Sequence, residues 1–261
     1  MMNRIAYFNL LLLLLLSYSQ TNAQKRSYPE DMLIVEFPSF TTVRFTGDSP
    51  NISDFVTSLI IDEDMLMDSG DFIDAWDHYQ RHEQQEPGTK ILVDKRNGFV
   101  EMTTDYCDNS DGTMHQYKSI YQMCYWNCED GKHKLFAVNL NAMHDGRYYE
   151  GQTTGLVFKL YENARHIMWD VNEDDLGLTV DPGTDEGYEY DAATKHYLVR
   201  DRKTSEPLTL NEEEFWRWYD EKPVVTYWLP KQGKDIIAEI HYAARTDTVR
   251  LVWDGMRFNR Q

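Results

Sequence analysis

Apolar and polar positions change rhythm near residue 90. Before it, Phe72, Ile73, Trp76 and Tyr79 form a stripe at helical spacing, with Asp74, Asp77 and Arg81 opposite. A helix is therefore predicted from Ser69 or Asp71 until Pro87-Gly88 ends it. Ser53 to Met67 is two-sided. Phe55, Val56, Leu59 and Ile60 suit a helix capped by Ser53, while Val56 to Ile61 also fits a strand. Short strands are predicted at Leu33 to Phe37 and Thr41 to Thr46.

After residue 90 the period becomes two. Ile91–Asp94 and Phe99–Thr103 flank Asn97-Gly98, a pair that accepts the positive φ of a tight turn. Asp105 to Thr113 reads as a polar loop. Strands follow at Ser119–Asn127, His133–Asn141, Gly155–Tyr161, His166–Val171, His196–Asp201, Val224–Leu229, Ile236–Tyr242, Thr248–Trp253 and Met256–Phe258. One further helix is predicted over Leu210 to Lys222, capped by Asn211, with Phe215, Trp216 and Tyr219 on one side. Short N-terminal strands and helices followed by an antiparallel β meander make this an α+β chain. No long flexible linker divides residues 24–261, so one domain is expected.

The meander contains an echo. YQMCYWNCEDGKHKLFAVNLNA, from Tyr121 to Ala142, is answered 102 residues later by PVVTYWLPKQGKDIIAEIHYAA, from Pro223 to Ala244. Tyr125-Trp126 aligns with Tyr227-Trp228, Gly131-Lys132 with Gly233-Lys234, and Phe136, Val138 and Leu140 with Ala238, Ile240 and Tyr242. Both read as strand, tight turn, strand with the same inward face. Residues 90–171 and 196–261 are thus candidates for two related β units, or for convergence on what any hairpin needs.

The N-terminus adds an address. Arg4, the apolar run Ile5–Leu16 and the small-x-small Thr21-Asn22-Ala23 predict a signal peptide over residues 1–23. The apolar run is too short to cross a bilayer, which takes about 20 residues. An exported chain, periplasmic or secreted, with no stable membrane insertion after cleavage is expected. The net charge is −18, and losing Arg4 makes it −19. Such acidity argues against nucleic acid as a partner. Cys107, Cys124 and Cys128 are disulfide candidates in an oxidising compartment. Cys124 and Cys128 lie about 13 Å apart on one strand face, so a bridge would need Cys107 with one of them; buried free thiols are the alternative.

Four aromatic residues, Tyr125, Trp126, Tyr227 and Trp228, are candidate ligand-binding residues, because their faces stack on sugars and peptides. Adjacent strand residues point to opposite faces, so one of each pair is expected in the core. Asp170, Asn172, Asp174 and Asp181 stand at positions 1, 3, 5 and 12 of a calcium-type loop. Position 6 is Asp175 where the sharp turn needs glycine, and a solvated acidic loop accounts for the same residues. His78 and His82 share a face of the predicted helix, but the order His-Tyr-Gln-Arg-His-Glu misplaces the glutamate of a metalloprotease helix. No nucleophile elbow, phosphate loop or dinucleotide fingerprint is present.

The stretch YWNCEDGKHKLFAVN, the strand Gly155 to Tyr161 and the closing Leu251 to Phe258 resemble uncharacterised exported β-rich proteins of gut Bacteroidetes. The resemblance implies a periplasmic or secreted location and transfers no catalytic residue. The expectation is a non-enzymatic binding or structural module for an extracellular polymer or protein, with no cofactor beyond the calcium option. A cell-envelope hydrolase acting on glycan or peptide is the alternative.

Overall fold

The structure, a computed structural model, describes residues 40–61, 70–109, 112–148, 155–178, 180, 188–200, 206–220, 223–242 and 244–261. The predicted signal peptide, the strand at residues 33–37 and the candidate ligand Asp181 lie outside the described residues.

Strand β1 (Phe40–Thr42) is followed by helices α1 (Ile52–Ile61) and α2 (Gly70–Gln80). Strands β2 (Thr89–Asp94), β3 (Phe99–Asp108), β4 (His115–Asn127), β5 (His133–His144), β6 (Arg147–Tyr148), β7 (Gly155–Glu162) and β8 (Ile167–Val171) come next. They form one antiparallel sheet in the order β1-β8-β7-β5-β4-β3-β2, with β6 paired to β5. A small sheet, β11-β10-β9, follows from β9 (Glu189–Asp191), β10 (His196–Arg200) and β11 (Pro207–Leu210), and α3 (Glu212–Asp220) packs on it. The chain closes as a four-stranded meander, β12 (Val224–Trp228), β13 (Ile236–His241), β14 (Thr246–Trp253) and β15 (Phe258–Arg260). The predicted α+β, antiparallel architecture is the observed one.

The central sheet is buried on both faces. On one, Val100, Met102, Met123, Phe136 and Tyr161 meet Phe55 of α1 and Phe72 of α2. On the other, Trp126, Leu135, Phe158 and Trp169 meet Ile236, Ala238, Leu251 and Trp253 of the terminal meander. This explains why β5 carries eight buried residues in a row rather than an alternation.

Several local expectations are corrected. Helix α1 is capped by Asn51, not Ser53. Asn51 Oδ1 accepts the Ser53 N–H at 2.9 Å, and Asp54 Oδ2 accepts the Asn51 N–H at 2.8 Å, a reciprocal capping box. Segment 52–61 is helix because that box satisfies its first N–H groups. Helix α3 has the same device in Asn211 and Glu214, at 3.0 Å in both directions. His82 falls beyond the end of α2 with φ 58°, so it does not share a helical face with His78. Gly98 has φ 67°, and a Cβ there would stand 2.7 Å from the Tyr125 ring. The turn needs glycine for backbone and for space.

The loop predicted over Asp105 to Thr113 is shorter than expected. Strand β3 runs on to Asp108, β4 begins at His115, and β5 continues to His144. These polar extensions project beyond the helix-covered core.

Candidate functional site

The two Tyr-Trp pairs do not build one surface. Trp126 is 4 % exposed, packs on Trp253 and Phe258, and donates from Nε1 to the Lys234 carbonyl at 2.9 Å. Tyr125 lies on the helix face against Phe55, with the Lys134 ammonium 4.9 Å over its ring. Tyr227 packs toward the inter-sheet core. Burial, with the Glu173 carboxylate adding to it, pushes its phenol up to about 12. Trp228 points to the other face of β12 and donates to Glu239 at 2.8 Å. Pleating sends adjacent residues apart, and two sheets then separate the pairs. The four residues therefore share no common surface; Trp126 is core, and Tyr125, Tyr227 and Trp228 are half-buried.

Of the calcium set, Asp170, Asn172 and Asp174 lie among the described residues. Asp170 is in β8 and pairs with buried Lys159 at 2.8 Å. Asn172 Oδ1 accepts the Asp174 N–H at 3.0 Å, opening a 3₁₀ turn over Asp174–Leu176. The Asp170 carboxylate and the Asn172 amide oxygen thus each have a partner within the fold. The cysteines do not pair. Cys124 lies opposite Phe99, while Cys107 lies opposite Gln116 at the far end of β3, about 26 Å away at the rise of a strand. A bridge needs Cα atoms within about 7 Å, so none of the three cysteines is in a disulfide. Burial raises the Cys124 thiol well above its ordinary value.

A different group of aromatics is exposed. Tyr197 of β10 stacks on Phe215 of α3, with centroids 3.8 Å apart and planes at 10°. Tyr190 lies 4.8 Å from Tyr197, Tyr188 4.9 Å from Phe215, and Trp216 5.2 Å from Phe215. Phe215 is 1 % exposed and anchors the group, whereas Tyr188, Tyr190 and Trp216 keep half of their surface open. The capping box of α3 fixes where Phe215 enters the small sheet, and the Tyr190–Tyr197 pair is set by β9–β10 register. Burial first, and then Glu212, pushes the Tyr197 phenol up. Glu189, Glu212, Glu213 and Glu214 are exposed on the same elements; Glu212 acts on the Tyr197 phenol, Glu213 pairs with Arg217 and Glu214 caps α3.

This arrangement presents flat apolar faces with polar tips at low entropy cost. One cavity among the described residues is small by comparison. It measures about 80 Å³ between α2 and β2, lined by Asp71, Asp74, Ala75, His78, Gln85, Glu86 and Thr89. Pockets for small organic ligands are roughly 300–1,000 Å³. Helical periodicity had placed Phe215, Trp216 and Tyr219 on one side of a helix. It gave no hint that tyrosines 188, 190 and 197 would join them.

Among the described residues, no helix is long and apolar enough to cross a membrane. Comparison with protein-family models, curated proteins and solved structures finds no match.

Proposed function

We propose that the protein is an exported, non-enzymatic recognition module that binds a glycan through the ring cluster of β9–β11 and α3. The observation carrying this reading is that Tyr188, Tyr190 and Trp216 stay half-open around a buried Phe215 anchor. A sugar ring offers a C–H face to an aromatic ring and hydroxyl donors to carboxylates, and Glu212 lies close enough to act on the Tyr197 phenol. The net charge of −18 favours an uncharged or basic polymer over an acidic one. The leader pattern at residues 1–23 and the resemblance to exported β-rich proteins support action outside the cytoplasm.

The test is binding of the purified chain to a panel of neutral, basic and acidic polysaccharides, with envelope proteins as a separate arm. The neutral or basic arm should retain the chain, and Trp216→Ala with Tyr188→Ala should weaken retention at least about tenfold. Retention untouched by the double variant, or confined to the protein arm, sinks the proposal.

A further inference from the structure

The extended ends of β3, β4 and β5 carry a second cluster that the ring unit does not involve. His115 opens β4, and His144 closes β5 immediately before the two-residue turn Asp145-Gly146. Strand pairing sets Tyr117 opposite His144 and Asp108 opposite His115, bringing residues 29 apart in sequence together. His115 Nδ1, His144 Nε2 and Asp145 Oδ2 form a triangle. Its edges are 3.2 Å between the nitrogens, 2.9 Å from His115 to Asp145, and 3.4 Å from His144 to Asp145.

Those edges have the size of a metal coordination shell. Ligands about 2.0–2.1 Å from a zinc-like ion stand about 3.3 Å apart in a tetrahedron, and about 2.9 Å apart at the cis positions of an octahedron. The ligand atoms are also held in place. Asp145 has φ 48° and Gly146 φ 77°, the mirror-image turn that suits a hairpin. The Asp145 N–H donates to the Gln116 carbonyl at 2.8 Å, and Asp145 Oδ1 accepts the Gln116 N–H at 2.8 Å. Oδ2 is thereby aimed at the imidazoles. The His144 ring stacks on Tyr117 at 4.6 Å and 13°, and Tyr117 stacks on Tyr106 at 4.9 Å and 9°. Such partners around ligands fix ring orientation and raise affinity.

We infer that His115, His144 and Asp145 bind one divalent transition-metal ion of the zinc class, with solvent at the remaining position. Two imidazoles and one carboxylate suit zinc, cobalt or nickel and not calcium or magnesium, which take oxygen shells. The side chains of His144 and Asp145 are 40 % and 48 % exposed, so an ion can enter from solvent and keep water as a further ligand.

The experiment uses the purified chain without a histidine tag, treated with chelator and dialysed, then titrated with Co(II), Zn(II) and Ca(II). One equivalent of Co(II) should bind with visible d–d absorption and a Kd below about 10 µM, and Zn(II) should displace it. His144→Ala and His115→Gln should each weaken binding at least about tenfold. Near-ultraviolet circular dichroism checks folding, and if His144→Ala unfolds, His115→Gln decides alone. Unchanged stoichiometry and affinity in a folded variant, binding of less than one equivalent, or preference for Ca(II) overturns the inference.

Discussion

The hairpins β4–β5 and β12–β13 share a register and differ in everything that surrounds them. Tyr125 faces Phe136 in the first, and Tyr227, 102 residues on, faces Ala238 in the second. The aligned cross-strand pairs therefore coincide. Yet Phe136 and Val138 pack on the helices, whereas their counterparts Ala238 and Ile240 pack on the central sheet. The expectation of one shared inward face is thus corrected: equivalent faces look into different cores. The first hairpin is central and buried on both sides. The second has an edge, and the first supplies its cover. Asn139 and Asn141 both donate to the Tyr227 carbonyl at 2.7 Å, and Gln122 Oε1 accepts the Leu229 N–H at 3.0 Å. Three buried amides of the central sheet satisfy the backbone edge of β12, as unpaired edge groups in a core require. A common local grammar can therefore serve a donor of cover and its recipient.

The sharpest way to break the equivalence is at the aligned tryptophans. Trp126→Ala should cost about 3–5 kcal/mol, the range for emptying an aromatic core site. Trp228→Ala should cost about 1 kcal/mol, chiefly its hydrogen bond to Glu239. Urea midpoints at constant m-value measure both, and equal losses would show that the hairpins occupy equivalent environments. Next comes the edge cover. Gln122→Leu keeps the volume but leaves the Leu229 N–H without its acceptor, at a cost of about 1–3 kcal/mol. An unchanged midpoint would mean that this contact does not hold β12 to the sheet.

The smallest effect lies in the turns. Asp130 is buried in the first turn, which would raise its carboxyl. The His133 side chain and the Lys132 and His133 N–H groups outweigh burial and hold it below 3.8. The ionised form is therefore favoured by folding. Its contribution is complete above pH 3.8 and is lost as acid carries the pH down through the lowered value. Asp130→Ala should lose about 1 kcal/mol at neutral pH, with the gap to the parent closing below pH 3.8. The aligned Gln232→Ala should lose nothing. A gap that persists in acid would assign the Asp130 effect to packing.

Much of the layout was legible in residues alone. The helix stripe of Phe72 and Trp76, the Asn97-Gly98 turn, the capped helix after Asn211 and nearly every central strand follow from period and turn chemistry. The short strands β9 and β11 escaped notice because they carry few apolar residues and pair only locally. The polar end of β3 read as loop, and those of β4 and β5 fell outside the predicted strands, because cross-strand pairing, unlike burial, leaves no apolar alternation. The candidate sites were the least legible. His115 and His144 have no ligand spacing to notice, since only the β4–β5 register brings them together.

What the sequence determined by itself was period: where the backbone coils or extends, where it turns, and which positions alternate. Those properties are local, set by neighbours a few residues away. What the tertiary structure decided was partnership. Leu135 and Phe136 are equally apolar, and nothing in their order says which meets a helix and which meets a sheet. Pairing across the sheet and stacking of layers made that choice. The same choice parted the Tyr-Trp echoes onto different faces, left the rings around Phe215 open, and gathered two histidines and an aspartate at one end.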